Sequence, residues 1–212
     1  MKFIDITRPL DAELAPWPGD ATFDYRLVSR LAEGASVNLG RVTTSVHSGT
    51  HADAFFHFDD AGLTMEKFAP ERYLGPAAVV DLTAKFAGSS GEITIADLAG
   101  SAPAPRLLLK TGAWPDSTKF PRAIPVLARG VAEWMQSQGV KLLGLDLPSV
   151  DAIDSKDLRN HHALHAADIA ILEGLDLSGA EAGLYSLAAL PLKIIGGDGA
   201  PVRAVLWRDE GA

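Results

Sequence analysis

The alternation of apolar and polar positions predicts mostly strands in the first half of the chain. Short apolar or alternating runs bounded by Gly, Pro and Ser are typical of strands. Such runs lie at residues 3–6, 23–31, 37–46 and 77–82. Pro9 and the segment 16–20 interrupt regular structure and predict a loop, and residues 64–68 predict one helical turn.

The second half alternates between predicted strands and predicted helices. Buried strands are predicted at residues 106–110, 142–146 and 169–173, and helices at residues 95–98, 126–138 and 161–167. Residues 192–195 and 202–207 flank the glycine-rich segment 196–199, which predicts a hairpin turn. Together these elements predict an α/β fold with a mixed sheet, formed by residues 1–212 as a single domain.

The composition is that of an ordinary globular protein, and it limits which metal ligands, nucleophiles and partners are possible. Hydrophobic residues make up 47% of the 212 residues and charged residues 22%, and cysteine is absent. Any metal ligands must therefore be His, Asp or Glu, and a cysteine nucleophile is excluded. The formal net charge of −8 disfavours nucleic acid and anionic membranes as partners, since both need a basic surface. No apolar run typical of a signal peptide or a membrane span is found, which predicts a cytoplasmic protein.

The six histidines fall into two groups, and the first group predicts a metal centre. His47, His51 and His57 lie within eleven residues and have Asp53 among them. A straight strand would separate His47 from His51 by about 13 Å, whereas imidazole nitrogens bind zinc at about 2.0–2.1 Å. The chain must therefore fold back between them, either through a bend at Gly49 or through one helical turn. The second group is His161, His162 and His165.

A histidine patch without metal is the alternative to a metal centre. A single histidine in a strand is most often a surface residue or a hydrogen-bonded core residue. Three within eleven residues, beside an acid, are harder to explain in that way. For the second group two interpretations remain open. One is a single metal ligand beside two histidines that bind no metal, and the other is a solvated helix face.

The segment from His47 to His57, HSGTHADAFFH, resembles the H-x-G-T-H-x-D-A-P-x-H signature of the putative cyclase family. The best-known members of that family are the bacterial kynurenine formamidases, or arylformamidases. The similarity runs along nearly the whole chain, and further family landmarks follow in order at residues 17–20, 73–76, 111–112, 146–151 and 173–175. The resemblance implies the swivelling β/β/α fold of the family, in which a barrel-like mixed sheet is flanked by helices.

The resemblance also implies a role for each signature residue. His47, His51 and Asp53 would bind metal, and His57 would be the catalytic acid or base. A metal such as zinc lowers the pKa of a bound water to about 7, and an imidazole, with a reference pKa near 6.5, can protonate a leaving amine. Formamide hydrolysis needs these functions and no covalent nucleophile, in line with the absence of a G-x-S-x-G motif.

A second part of the metal centre is implied far along the chain. The family adds a histidine and a glutamate twelve residues beyond it, a spacing that His161 and Glu173 match. His162 and His165 do not match that spacing. The implied cofactor is zinc, two ions per subunit bridged by a carboxylate, and the implied assembly is a homodimer.

Substrate contacts are less well defined by the sequence. Trp17 resembles the tryptophan that stacks on the aryl ring of substrate in the formamidases, although a loop tryptophan can also cover a core edge. Phe55 stands where the family usually has proline, so we expect Phe55 and Phe56 to make the cavity wall bulkier and more aromatic. Arg203 and Lys193 are candidates to meet a substrate carboxylate.

The resemblance thus implies hydrolysis of N-formyl-L-kynurenine to L-kynurenine and formate, a step of tryptophan breakdown. The implied partner is a small aryl formamide substrate. One alternative is a related metal-dependent amidase or lactam hydrolase of the isatin type. Another is a non-catalytic metal- or ligand-binding module on the same fold.

Overall fold

A nine-stranded mixed sheet organises the computed structural model, which describes residues 2–208. Its strand order is β1-β13-β11-β5-β7-β9-β10-β4-β12, and it curls into a half-barrel. The strands of the described residues are β1 (Lys2–Asp5), β2 (Asp24–Ser29), β3 (Leu39–Thr43), β4 (His51–Asp53), β5 (Leu74–Asp81), β6 (Gly91–Ile93), β7 (Arg106–Lys110), β8 (Pro125–Leu127), β9 (Leu142–Leu145), β10 (Ala170–Glu173), β11 (Gly183–Ala188), β12 (Gly199–Pro201) and β13 (Val205–Arg208).

The helices are short and connect or flank these strands. The α-helices of the described residues are α1 (Thr83–Phe86), α2 (Ile95–Leu98), α3 (Val131–Ser137) and α4 (Arg159–Ala166). Single 3-10 turns lie at Leu31–Glu33, Phe55–His57, Met65–Lys67 and Pro70–Arg72. Within residues 2–208, no helix is long and apolar enough to cross a membrane.

The centre of the sheet is parallel and its two sides are antiparallel. Strands β5, β7, β9 and β10 pair in parallel, as crossover connections allow. Strand β4 pairs antiparallel with both β10 and β12, which places the His51–Asp53 segment between them. Strands β2 and β3 form a separate hairpin, and β6 and β8 form a separate parallel pair.

Alternation along the central strands divides the core between the two faces of the sheet. Leu108 of β7 and Leu142 of β9 belong to one cluster of buried side chains, together with Ile6. Leu107 and Leu143, their neighbours, belong to the second cluster, which includes the buried apolar residues of α3 and α4. Because successive side chains of a strand point to opposite faces, the continuous apolar runs indicate strands buried on both sides.

Two of the predicted elements are wrong in part. The predicted helix 126–138 is a strand, β8, followed by α3, because Val126 pairs with Glu92 of β6 and the helix begins only after Gly130. Gly130 has φ +84°, which is outside the helical region. The predicted hairpin around 196–199 is limited to one isolated antiparallel bridge between Pro191 and Val202, since β12 pairs with β4 whereas β13 pairs with β1 and β11.

Candidate metal centre

A sharp bend between His47 and His51 brings their side chains together. Gly49, within the bend, has φ +63°, in the left-handed region that glycine adopts at little cost. Thr50 ties the bend to the neighbouring strand end, because its hydroxyl donates to the carbonyl oxygen of Gly174 at 2.6 Å. Of the two predicted routes, the structure has the bend and not the helical turn.

Strand β4 presents His51 and Asp53 side by side, since residues two apart lie on the same face of a strand. Glu173, the last residue of β10, is the direct antiparallel partner of His51, so its carboxylate arrives on that face as well. Gly174 follows with φ +65°, and a Cβ at this position would lie 2.0 Å from the carbonyl oxygen of Gly49. Only glycine therefore allows the bend to approach the end of β10.

Asp53 lies at the centre of a cluster of three histidines. Its Oδ1 is 2.9 Å from Nδ1 of His47 and 3.4 Å from Nε2 of His51, and its Oδ2 is 3.5 Å from Nε2 of His161. Glu173 closes the cluster, with Oε2 3.5 Å from His51 Nε2 and Oε1 3.8 Å from His161 Nε2. All of these side chains except that of His47 are buried.

For His51 and His161, a hydrogen bond on the side of the ring that is turned away from the cluster fixes which nitrogen faces the cluster. Nδ1 of His51 donates to the carbonyl oxygen of Gly49 at 3.0 Å, and Nδ1 of His161 donates to the carboxylate of Asp151 at 2.8 Å. Both partners can only accept, so both Nδ1 atoms carry the proton. Nε2 of each ring then points at the buried carboxylates and is the nitrogen left to bind a metal.

Burial and paired charges shift the pKa values within the cluster. Burial lowers the pKa of His51, but hydrogen bonds to Asp53 and Glu173 outweigh it and raise that pKa to about 10. Burial also lowers the pKa of His161, and hydrogen bonds to Asp151 and Asp53 raise it to about 10. Burial raises the pKa of Asp53, but hydrogen bonds from its histidine partners outweigh it and hold that pKa well below the usual range. For Glu173, burial and the charge of Asp53 raise the pKa.

The donor set fits divalent cations. Among residues 2–208, three groups of three side chains each offer ligand atoms that lie within 4.8 Å of one another. One group is His47, His57 and Asp198, and the other two are His47, His51 and Asp53, and Asp53, His161 and Glu173. Asp53 belongs to both of the latter groups, and its two oxygens face different histidines, which is the geometry of a bridging carboxylate. Imidazole and carboxylate donors suit zinc and other divalent transition metals, and a cation would replace the protons that neutralise the cluster.

His57 lies at the edge of the cluster, beside Asp198. Its ring packs on that of His47 with the centroids 4.0 Å apart, and its Nδ1 is 3.5 Å from Oδ2 of Asp198. Burial lowers the pKa of His57 and outweighs the opposing charge of Asp53, and the neighbouring histidines lower it further. At neutral pH the imidazole is therefore uncharged and able to accept a proton.

The cluster lines a cavity of about 400 Å³. The loop 17–20 forms one wall, and Pro148, Ser149 and Leu158 also line the cavity. Trp17 is 37% exposed and contacts Phe120 edge-on, with the ring centroids 5.1 Å apart. The side chain of Trp17 thus lines the cavity and also covers a neighbouring aromatic ring, and its stacking on a substrate stays a prediction.

The expectation that Phe55 and Phe56 form the cavity wall is wrong. Phe55 is 3% exposed and packs into the core, where it meets Phe68 at a centroid distance of 4.9 Å and stacks on His165 at 4.1 Å. Phe56 is exposed, and neither residue lines the cavity. The replacement of proline by Phe55 therefore changes the packing beneath the site and not the surface that a substrate would meet.

The remaining residues singled out from the sequence lie away from the cavity. His162 is exposed and its ring meets Phe58 edge-on, and neither His162 nor His165 lines the cavity. Arg203 pairs with Asp5 on the surface, and Lys193 is exposed outside the cavity.

Two acids of the site are missing from the sequence-based set. Asp151 accepts a hydrogen bond from His161 and orients its ring. Asp198 contacts His47, which lies 151 residues away in the chain, so sequence spacing could not reveal this contact. Asp151 ends the family landmark 146–151, which was a usable signal. For Asp198 the surrounding glycines indicate only a turn.

Comparison with known proteins agrees with this geometry. Residues 4–152 match the Putative cyclase family, and that range includes the whole His47–His57 segment. The chain belongs to this family. Among its relatives, a kynurenine formamidase from Geobacillus thermodenitrificans is 46% identical over 204 residues, which are 96% of each chain. A kynurenine formamidase from Bacillus cytotoxicus is 41% identical over 205 residues, 97% of each chain.

Solved structures of cyclase-like proteins share the fold. A predicted metal-dependent hydrolase from Bacillus stearothermophilus is 26% identical, with a TM-score of 0.80 and 97% of each chain covered. Isatin hydrolase A from Labrenzia aggregata is 22% identical, with a TM-score of 0.80 over 97% of this chain and 93% of that one. At that identity the likeness concerns the fold alone. The expected mixed α/β fold and the family resemblance are confirmed.

Proposed function

We propose that this cyclase-family chain hydrolyses N-formyl-L-kynurenine to L-kynurenine and formate in a metal-dependent reaction. The observation that carries the proposal is the pair of ligand groups that share Asp53 beside His57, in a cavity that Trp17 also lines. Relatives that are 40–46% identical over nearly their whole length are kynurenine formamidases, which supports the same substrate.

Each of the two ligand groups that share Asp53 would hold one cation. His47, His51 and Asp53 would hold one ion, and Asp53, His161 and Glu173 would hold a second. We propose zinc, since the donors are imidazoles and carboxylates. Such a cation, when bound, polarises a carbonyl group and lowers the pKa of water.

His57 is proposed to move the proton. Its Nδ1 faces Asp198, which leaves Nε2 for the substrate side. As an uncharged imidazole it accepts a proton from the water that adds to the formyl carbon, and it returns that proton to the aryl nitrogen as the C–N bond breaks. The water oxygen ends in formate, and the aryl nitrogen leaves as the neutral amine.

Trp17 is proposed to orient the aryl ring. Its partly exposed indole lines the cavity together with Pro148 and Leu158, so a flat ring can stack on it with the formamide group towards the cluster. A homodimeric, cytoplasmic enzyme of tryptophan catabolism stays a prediction from the family resemblance, and light scattering of the purified protein would test the dimer.

A substrate comparison with one variant tests the proposal. Formate release from N-formyl-L-kynurenine should exceed ring opening of isatin in kcat/KM with the same metal-loaded preparation. Replacing His57→Ala should lower kcat by about 10²–10⁴-fold while the number of bound cations is unchanged. Faster isatin opening would shift the assignment to a lactam hydrolase. A wild-type protein that binds cation without any turnover would indicate a binding module.

A further inference from the structure

We infer that Asp198 positions two histidines of the site at once, holding His47 towards the other ligands and fixing the ring of His57 for proton transfer. Asp198 is thus a positioning residue and touches neither the cation nor the formyl group. The inference rests on the proposed function, since it takes His47 as a ligand and His57 as the group that moves the proton.

Each histidine proposed as a ligand has an acceptor on the nitrogen that faces away from the cluster. For His51 the acceptor is a backbone carbonyl, and for His161 it is Asp151. For His47, Nδ1 faces Asp53 and Nε2 lies 3.0 Å from Oδ2 of Asp198. Such acceptors fix the orientation and tautomer of a ligand, and their loss typically costs 10–100-fold in metal affinity or activity.

The backbone around Asp198 is built to receive the His47 ring. A Cβ on Gly199 would lie 2.7 Å from Cε1 of His47, so the imidazole rests against bare backbone at this position. The carbonyl oxygen of Asp198 accepts from the N–H of Ala54 at 2.9 Å, directly after Asp53. The turn is therefore tied to the strand that carries the ligands, and the Asp198 carboxylate has a fixed place relative to them.

The same carboxylate oxygen also faces His57. Oδ2 of Asp198 is 3.5 Å from Nδ1 of His57, and the His57 ring is packed on His47. The negative charge of Asp198 at that distance favours the tautomer with the proton on Nδ1, which leaves Nε2 as the nitrogen that exchanges a proton with substrate. Oδ2 of Asp198 thus contacts both Nε2 of His47, the proposed ligand, and Nδ1 of His57, the proposed acid/base.

A purely structural role for Asp198 in its turn is the competing explanation, because aspartate is common in turns. The two explanations differ in what an isosteric amide would do. In Asp198→Asn the amide oxygen can still accept from Nε2 of His47, but the negative charge that holds His57 is lost. In Asp198→Ala both interactions are lost.

The test compares Asp198→Ala, Asp198→Asn and Asp60→Asn as a control for the loss of one charge. Asp60 is exposed, and among residues 2–208 it forms no ion pair with a histidine. Three quantities are measured: the zinc dissociation constant by chelator competition, the absorption spectrum of the Co²⁺-substituted protein, and kcat and KM for N-formyl-L-kynurenine. Circular dichroism verifies that each variant is folded.

We expect Asp198→Ala to weaken zinc binding about 10–100-fold and to change the Co²⁺ spectrum. Asp198→Asn should keep the spectrum and most of the affinity, but lose at least about tenfold in kcat with little change in KM. Unchanged zinc affinity and Co²⁺ spectrum in Asp198→Ala would overturn the role at His47. Wild-type kcat in Asp198→Asn would overturn the role at His57. A wild-type protein that binds no zinc, or binds it without releasing formate, would instead overturn the proposed function before the variants are compared.

Discussion

Trp17 and Phe55 show how differently two aromatic residues near the site act. Trp17 is partly exposed on the cavity wall, whereas Phe55 is buried beneath the histidines and stacks on His165. Trp17 stands out in the sequence by its resemblance to a family tryptophan and Phe55 by its place in the signature, but exposure depends on the fold. Substrate binding should therefore depend on Trp17, and folding stability should depend on Phe55.

Replacing Phe55→Ala is expected to lower the free energy of unfolding by about 3–5 kcal/mol, because a buried aromatic ring leaves a cavity. The KM for N-formyl-L-kynurenine should stay unchanged, since Phe55 does not line the cavity. Urea denaturation and steady-state kinetics measure both quantities. Phe56→Ala, at an exposed neighbour, is the matched control and should cost less than about 1 kcal/mol. A raised KM with undiminished stability would contradict this account.

Replacing Trp17→Ala should raise the KM for N-formyl-L-kynurenine about tenfold, which corresponds to about 1.4 kcal/mol of lost stacking. Trp17→Phe should recover most of the affinity, because it restores an aromatic face. The kinetics are measured with formate release, and zinc content should not change in either variant. An unchanged KM in Trp17→Ala would remove this residue from the substrate site.

Strand β4 is the element on which the site depends, and it is the one that sequence patterns describe least well. It has three residues, and its partners β10 and β12 lie more than a hundred residues later in the chain. Local apolar periodicity predicted β7 at its observed bounds, because that strand is a continuous buried run. It could not predict β4 or the separation of β8 from α3, since pairing partners and a left-handed Gly130 decide these.

Replacing Gly174→Ala is expected to disturb the site through the contact between the bend and β10. A Cβ there would lie 2.0 Å from the carbonyl oxygen of Gly49, in addition to the strain of φ +65°. Gly130→Ala is the matched control, because φ is +84° but no atom lies within 4 Å of the added Cβ. The control should lose about 1–2 kcal/mol of stability and retain its zinc affinity. Gly174→Ala should lose more stability and at least about tenfold in zinc affinity, and equal effects of the two substitutions would contradict the close approach.

The whole sheet brings distant segments into one site. Its β4–β10–β9 region joins the His47–His57 segment to Glu173, and His161 comes from helix α4. The resemblance to a family supplied His161 and Glu173 from spacing alone, and the fold places both at the cluster. Asp198 could not be found in that way, because only the pairing of β12 with β4 carries it to His47.

The charge state of the cluster predicts how the stability of the whole molecule depends on pH. His51 and His161 have pKa values raised to about 10 in the cation-free chain, against 6.5 when unfolded. Their contribution to stability is therefore complete below pH 6.5 and is lost as the pH rises towards 10. Between pH 7 and pH 9 the chelator-treated protein should lose at least about 1 kcal/mol of unfolding free energy.

Bound zinc should abolish this loss, since it holds the same histidines in their neutral form. Urea denaturation at pH 7 and pH 9, with stoichiometric zinc and with chelator, measures the difference. The stabilisation by zinc should grow with pH. A cation-free protein whose stability rises over this interval would show that the histidines do not hold protons in the buried cluster.

The most direct test of the central claim is the rate of formate release from N-formyl-L-kynurenine as a function of zinc bound per chain. Metal-free protein is titrated with zinc, and bound metal and rate are measured on the same samples. The account predicts no turnover in metal-free protein and a rate that rises with occupancy until two ions are bound per chain. Full turnover without metal, or complete occupancy without formate release, would contradict it.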